Sequence, residues 1–264
     1  MNRSLVYKLN VYVALLFFLV SVFSEICDAK LDMETVVAMW LLDEGEGDQI
    51  ADASGNGHDG RFVGGRVKWV DGKFGKGLEF TQEGWAEMNA PVVVDTVDWS
   101  MGCWVKPRDS QKHWANILSS HNALRGISFE QFDNNINRMG VAMGDGETWG
   151  GAGFVQLRAN QWNHMVFTRK KKIGTWYLNG RKDNEKQLDS GSPVVASPSH
   201  FRIGNWVLGS RNWNGIVDEA FIFERALSRD EITTIMNQGL ERARAVNPNG
   251  KVSILWGRIK TSYD

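Results

Sequence analysis

The sequence has few cysteines, few prolines and almost no net charge. Two cysteines and five prolines occur among 264 residues, and the formal net charge is −1. A net charge this close to zero gives neither the basic surface expected for nucleic-acid binding nor the block of like charges expected for binding to a membrane surface. The sequence also has no internal repeat and no proline- or serine-rich linker. We therefore expect one large domain, since an all-β domain can extend to about 200–250 residues.

The longest apolar run lies near the amino terminus and is too short for a typical membrane helix. Two basic residues precede apolar residues 11–23, whereas a spanning helix needs roughly 20 residues. We predict a signal peptide over residues 1–29 and a secreted or cell-surface protein. A retained membrane anchor is the alternative. After cleavage Cys103 is the only cysteine, which excludes an intrachain disulfide and a cysteine-based metal cluster.

A short apolar stretch near the carboxyl end carries two adjacent acids. Residues 216–223 are rich in β-branched and aromatic side chains and too short for a typical helix, which predicts a strand covered on both sides. Alternation assigns one face to Ile216, Asp218, Ala220 and Ile222 and the other to Val217, Glu219, Phe221 and Phe223. Because a buried carboxylate is costly unless it is paired or binds a metal, Asp218 or Glu219 should have a cationic partner.

The other apolar segments have the pattern of short strands separated by turns. A hairpin is predicted over residues 60–70, and another at Asn179–Gly180, a preferred pair for a type I′ turn. Ser228 and Glu231 form a capping box that predicts one helix after the acidic strand. Residues 247–264 are predicted to form either an extension outside the domain or an edge strand. Further strands are predicted over residues 36–42, 98–107, 116–119, 126–132, 138–143, 161–169 and 199–206.

Several of these stretches resemble the laminin-G-like domains of the concanavalin A-like lectin/glucanase superfamily. The closing pattern, Trp-x-Gly-x-Val-Asp-Glu, an aromatic strand and Arg-Ala-Leu-Ser, occupies residues 213–228. An opening pattern, Asp-x-Ser-Gly-Asn-Gly, occupies residues 52–57, and Trp-Val-Lys-Pro occupies residues 104–107. The resemblance implies an all-β, two-sheet antiparallel jelly-roll sandwich over residues 30–246, with one short carboxyl-terminal helix.

The loop over residues 52–59 is the strongest candidate for a metal site. Asp52, Ser54 and Asn56 place oxygen-bearing side chains at alternate positions before a glycine, as in the first half of a calcium loop. Val63 stands where an EF-hand carries its bidentate glutamate, so the loop is not an EF-hand. The alternative interpretation is a tight turn stabilised by side-chain-to-backbone hydrogen bonds.

Other segments must complete such a site, because calcium takes about 6–8 oxygen ligands. The resemblance implies that the first and last strands lie near each other. We therefore predict a structural Ca²⁺ held by Asp52, Asn56 and Asp218, with Glu44 as a further candidate ligand.

Tryptophans form the second group of candidate binding residues. The sequence has twelve of them, and flat aromatic rings can stack on the apolar faces of sugars. Trp114, Trp149 and Trp206 lie in or beside polar, glycine-rich loops, and Arg125 and Asn205 are available for polar contacts. We predict that these five residues bind a ligand; the alternative is that the tryptophans cap an edge of the core.

The sequence does not favour catalysis. Glucanases of this superfamily carry paired acids on one face of a strand, whereas adjacent acids such as Asp218 and Glu219 should project to opposite faces. No His-Glu-x-x-His or Gly-x-Ser-x-Gly motif occurs. We predict an exported, non-catalytic module that binds carbohydrate or a cell-surface protein. A glycan-cleaving hydrolase or lyase of the same fold and a purely structural adhesion module are the alternatives.

Overall fold

The computed structural model describes residues 31–81, 83–94, 96–122, 124–132, 137–145 and 149–245. The side chains of residues 145 and 149–152 are not described. The predicted signal peptide and the predicted extension over residues 247–264 lie outside the described residues.

The described residues form sixteen strands and two α-helices. A 3₁₀ helix, Met33–Thr35, precedes the first strand, and the helices α1 (Arg229–Gln238) and α2 (Leu240–Ala245) follow the last one. The strands are β1 Val36–Trp40, β2 Gln49–Ile50, β3 Gly60–Val63, β4 Val67–Asp71, β5 Lys76–Thr81, β6 Trp85–Met88, β7 Trp99–Pro107, β8 Asn116–Ser119, β9 Arg125–Gln131, β10 Arg138–Asp145, β11 Trp149–Gln156, β12 Asn163–Lys170, β13 Ile173–Leu178, β14 Arg181–Gln187, β15 Arg202–Ile203 and β16 Asn214–Phe223.

These strands form two antiparallel sheets. Sheet A has the order β14-β13-β12-β7-β16-β5-β4, with β1 also paired to β16, and sheet B has the order β11-β10-β9-β8-β15-β6-β3-β2. Alternate side chains of both sheets fill one hydrophobic core, with Trp40, Trp99 and Phe129 among the fully buried members. The predicted all-β, two-sheet architecture is confirmed.

Strand β16 lies in the interior of sheet A and differs from the predicted alternation. A β-bulge lies between Asp218 and Phe221, and Glu219 within it has a φ of +53°. The predicted faces are therefore wrong, because the extra residue shifts the alternation by one. The side chains that face the inter-sheet core are Val217, Ala220 and Ile222, and those that face the helices are Phe221 and Phe223.

The chain passes from sheet B to sheet A at the turn Gly64–Gly65. Strand β3 pairs with β2 and β6, whereas β4 pairs with β5, so the hairpin predicted over residues 60–70 is wrong. Gly64 has a φ of +83°, and a Cβ there would lie 2.8 Å from the Glu83 carbonyl oxygen. Glycine is required at this crossing both for its backbone conformation and for space.

Two local predictions are confirmed. Asn179 and Gly180 have φ values of 51° and 73° in the turn between β13 and β14. The Ser228 side chain accepts a hydrogen bond from the Glu231 N–H, and the Glu231 side chain accepts one from the Ser228 N–H, so both halves of the capping box form.

The two helices cover the outer face of sheet A at β16. Ile232, Ile235 and Leu240 pack in one cluster with Phe221 and Phe223. Within the described ranges, neither helix has the length and apolar content needed to cross a membrane.

Candidate functional site

The outer face of sheet B carries a row of alternating tryptophan and arginine side chains. The Arg202 guanidinium carbon lies 4.8 Å from the centre of the Trp85 ring, and its Nη1 donates to the Trp206 carbonyl at 2.9 Å. The Arg211 guanidinium carbon lies 3.9 Å from the Trp206 ring centre and 5.8 Å from that of Trp114. We call these five residues the Trp–Arg platform.

The strand pattern explains why the platform faces away from the core. Ala86 in β6 and Ile203 in β15 are core residues, so their neighbours Trp85 and Arg202 project from the opposite face. All three platform tryptophans are half-buried. The Trp206 indole N–H donates to the His121 carbonyl at 2.7 Å, which fixes the ring on the sheet.

Two glutamates anchor the platform arginines. Glu87 Oε2 lies 2.7 Å from Arg202 Nε, and Glu130 Oε2 lies 3.4 Å from Arg211 Nη1. The Glu130 side chain is only 1% exposed. Burial raises its pKa to about 7, while Arg211 and a hydrogen bond to Asn116 oppose that rise. The charge on Glu130 therefore changes near neutral pH.

The structure brings together two of the five predicted ligand-binding residues. Trp114 and Trp206 lie on either side of Arg211 in the platform. Asn205 is buried, and its Oδ1 accepts hydrogen bonds from the N–H groups of Trp206 and Arg211 at 2.8 and 3.0 Å. Asn205 thus shapes the loop that carries the platform.

The other two predicted ligand residues have different surroundings. Arg125 opens β9, is exposed, and forms a β-bridge with Asn122. Trp149 was expected in a loop, but it begins strand β11; its side chain lies outside the described part of the structure. The loop prediction was wrong because residues 149–156 pair with β10 across glycine-rich positions that local patterns do not identify as a strand.

Sequence reasoning missed three members of the platform: Trp85, Arg202 and Arg211. The alternation of residues 85–88 was an available signal for Trp85. Ala86 and Met88 are the buried residues of that short strand, so Trp85 lies on its other face. The arginines carry no local signal. Their stacking on tryptophans depends on which strands become neighbours in sheet B.

The adjacent acids of β16 are buried on the helix side of sheet A. Asp218 Oδ2 accepts hydrogen bonds from the Lys73 and Phe74 N–H groups at 2.7 and 3.0 Å. Glu219 accepts one from the Leu240 N–H. The predicted opposite projection is wrong, because the bulge directs both carboxylates toward the outer side. Asp218 and Glu219 are 0% and 2% exposed, which prevents direct contact with a polymer.

Burial dominates the electrostatics of these two acids. Burial, with smaller contributions from neighbouring acids (Glu219 and Asp43 for Asp218, Asp43 and Glu241 for Glu219), raises the pKa of Asp218 to about 8 and that of Glu219 to about 7. No lysine or arginine side chain lowers either pKa. The expected cation is therefore not a side chain in the described part of the chain. Asp218 Oδ1 also has no hydrogen-bond partner there.

Hydrogen bonds within the loop and to β1 hold the loop over residues 52–59. Asp52 accepts four, three at Oδ1 and one at Oδ2, from donors in β1 and in the loop itself. The Asn56 amide donates to two β1 carbonyls at 2.7 and 3.0 Å, and Glu44 accepts from the Ala51 N–H at 2.8 Å. These contacts match the alternative interpretation of a side-chain-stabilised turn. Among the described side chains, no group of three or more His, Cys, Asp or Glu residues is arranged to hold a metal.

Sequence comparison identifies the family. Residues 80–233, more than half of the chain, match the concanavalin A-like lectin/glucanases superfamily, so the chain belongs to it. A search of curated proteins gives no match.

Solved structures show the same fold. Domain 4 of AbnA, a GH43 extracellular arabinanase from Geobacillus stearothermophilus, is 21% identical with a TM-score of 0.63, and 77% of this chain covers 98% of that one. A structure of botulinum neurotoxin type C is 12% identical with a TM-score of 0.59, at 78% and 51% coverage. The binding domain of botulinum neurotoxin DC is 13% identical with a TM-score of 0.59, at 78% and 52% coverage. The chain thus spans about half the length of the neurotoxin chains and nearly all of the arabinanase domain. The predicted jelly-roll fold is confirmed.

Proposed function

We propose that this chain is a carbohydrate-binding module and that the Trp–Arg platform holds the glycan. The observation that carries the proposal is the contiguous row of three half-buried tryptophans and two arginines on one sheet face. Indole rings offer flat apolar surface to the C–H faces of sugars, and guanidinium groups offer several hydrogen-bond donors in a fixed plane. A few convergent polar groups among aromatic side chains are typical of binding sites for small ligands.

The ligands of the similar structures support this choice. Domain 4 of AbnA was determined in complex with arabinotriose, and botulinum neurotoxin type C interacts with two ganglioside molecules. The binding domain of neurotoxin DC was determined with rat synaptotagmin II. A glycan is therefore our first candidate ligand, and a cell-surface protein is the second. We further propose export by the signal peptide predicted over residues 1–29.

The proposed role is binding without catalysis. Asp218 and Glu219 share one side of β16, but their near-complete burial keeps them from a bound glycan. The two glutamates beside the platform, Glu87 and Glu130, are each paired with a platform arginine. Both pairs serve to position the guanidinium groups on the tryptophan rings.

A glycan array followed by calorimetry with the best-bound oligosaccharide tests the proposal. Trp206→Ala should weaken that binding about tenfold or more, since central aromatic residues carry most of the energy of such contacts. Trp162→Ala is the matched control, because Trp162 is also half-buried but precedes β12 in sheet A. Thermal melting verifies that each variant folds. Equal weakening by both substitutions, or none by Trp206→Ala, contradicts the proposed site.

We propose in addition that a structural calcium ion binds at Asp218. This residue keeps a buried oxygen without a partner, and its charged neighbours Asp43 and Glu219 are acidic. Calcium also takes backbone carbonyls and waters as oxygen ligands, and these would have to complete the site, because no three acidic or histidine side chains of the described residues are arranged around one ion. Asp52 and Asn56 fit the ion less well, because the structure already occupies their side chains with hydrogen bonds.

Thermal melting with and without a chelator tests the calcium proposal. Chelation should lower the melting temperature of the wild-type protein, and added calcium should restore it, because a ligand bound only by the folded state stabilises that state. Asp218→Asn should remove most of this response, whereas Asp52→Asn should retain it. A wild-type melting temperature unaffected by chelation rules out the ion.

A further inference from the structure

Sheet A carries a groove that is separate from the Trp–Arg platform on sheet B. Its volume is about 710 Å³, and it runs between the β12–β13 hairpin and the start of α1. Its lining includes the hairpin lysines Lys170, Lys171 and Lys172, together with Thr168, Tyr177 and Ser228.

The charge of this groove is positive because its acids are already paired. Glu185 lies 2.8 Å from Lys182 Nζ, and Glu231 lies 2.5 Å from Arg225 Nη2. The three hairpin lysines are exposed. None of them takes part in the ion pairs of the described residues.

The backbone that carries the lysines is held in place. The Lys171 N–H donates to the Asp98 carboxylate at 2.7 Å, and the Lys172 carbonyl accepts from the Leu188 N–H at 2.8 Å. The aliphatic part of Lys172 lies close against Gly191. A positively charged hairpin tip is thereby fixed at one wall of the groove.

We propose that this groove binds an acidic oligosaccharide through its carboxylate or sulfate groups. The lysines neutralise the acidic groups, while the hydroxyl of Thr168 can bond to sugar hydroxyls and Tyr177 can pack on a ring. The volume is in the range of sites for drug-sized ligands and exceeds the needs of a single inorganic anion. Ile173, 37% exposed, is the one large exposed apolar side chain of the lining. The lining therefore offers little apolar surface for insertion into a membrane.

Titration with defined probes tests this second site. The probes are a heparin octasaccharide, an octagalacturonate, neutral maltooctaose, and vesicles of phosphatidylserine and phosphatidylcholine. We expect binding of an acidic oligosaccharide that weakens as salt is raised, and no binding of maltooctaose at this site. Lys170→Gln/Lys172→Gln should weaken binding of the acidic oligosaccharide about tenfold, because loss of each exposed ion pair lowers affinity by up to about fivefold.

Matched variants separate this site from general charge effects and from the platform. Lys68→Gln/Arg242→Gln removes the same charge at two exposed positions elsewhere and should alter affinity by less than about twofold. Trp206→Ala should leave acidic binding intact, so this proposal can fail or succeed independently of the platform. Any of four results would overturn the proposal of a second site. They are equal weakening by both charge variants, loss of binding in Trp206→Ala alone, binding of the vesicles only, and no binding of either acidic probe.

Discussion

The buried carboxyl of Asp218 predicts a fall in stability as pH rises when no metal is bound. Its pKa is raised from 3.8 to about 8 by burial. Between these values the folded protein holds a proton that the unfolded chain has lost. The stabilisation is therefore complete below about pH 4 and is lost progressively as pH rises toward 8.

The magnitude follows from the size of the pKa difference. One proton more in the folded state changes the free energy of unfolding by up to about 1.4 kcal/mol for each pH unit. From pH 5.5 to 7.5 the loss is on the order of 2–3 kcal/mol, or about 5–10 °C in melting temperature for a domain of this size.

The assay compares the wild type with Asp218→Asn by thermal and urea unfolding in chelator at several pH values. The asparagine oxygen can still accept hydrogen bonds from Lys73 and Phe74, but the amide does not ionise. The difference between the two curves reports the ionisation of Asp218 together with its coupling to Glu219, because Glu130 titrates alike in both proteins. Calcium should flatten the wild-type curve. This account of the buried acid would be refuted by parallel curves, or by a wild-type stability that increases relative to that of the variant as pH rises.

Two further predictions concern α1 and the platform. Ser228→Ala removes the cap that accepts from the Glu231 N–H and should cost about 1 kcal/mol; Ser228→Asp, which keeps an acceptor, should cost less in the same urea titration. Ionised Glu130 holds Arg211 on the Trp206 ring, so affinity for the bound glycan should fall about threefold as pH drops below the Glu130 pKa of about 7. Glu130→Gln should abolish that pH dependence in calorimetry, and persistence of the dependence would assign it to another group.

The features predicted correctly from the sequence are those fixed by neighbouring residues. The Asn179–Gly180 turn depends on two backbone conformations, and the capping box depends on side chains three positions apart. The alternation of β7 was also readable, since Met101, Cys103 and Val105 all face the core. Each of these signals is contained within one short segment.

The features predicted wrongly depend on distant segments. The bulge at Glu219 accommodates pairing of β16 with β7, and nothing in the order of apolar residues marks it. The crossing at Gly64–Gly65 resembles a hairpin turn until the partners of β3 and β4 are known. Arg211 joins the candidate site only because its loop lies over the outer face of sheet B.

The pairing of β1 with β16 delays the completion of sheet A during synthesis. Val36 lies opposite Phe223, so the first strand has no sheet partner in the described chain until the last strand emerges from the ribosome. Contacts this distant in sequence form slowly, and strand edges that wait for them are prone to aggregate. A nascent chain truncated before Asn214 would leave β1, β5 and β7 without their shared neighbour, so we expect such fragments to need a chaperone.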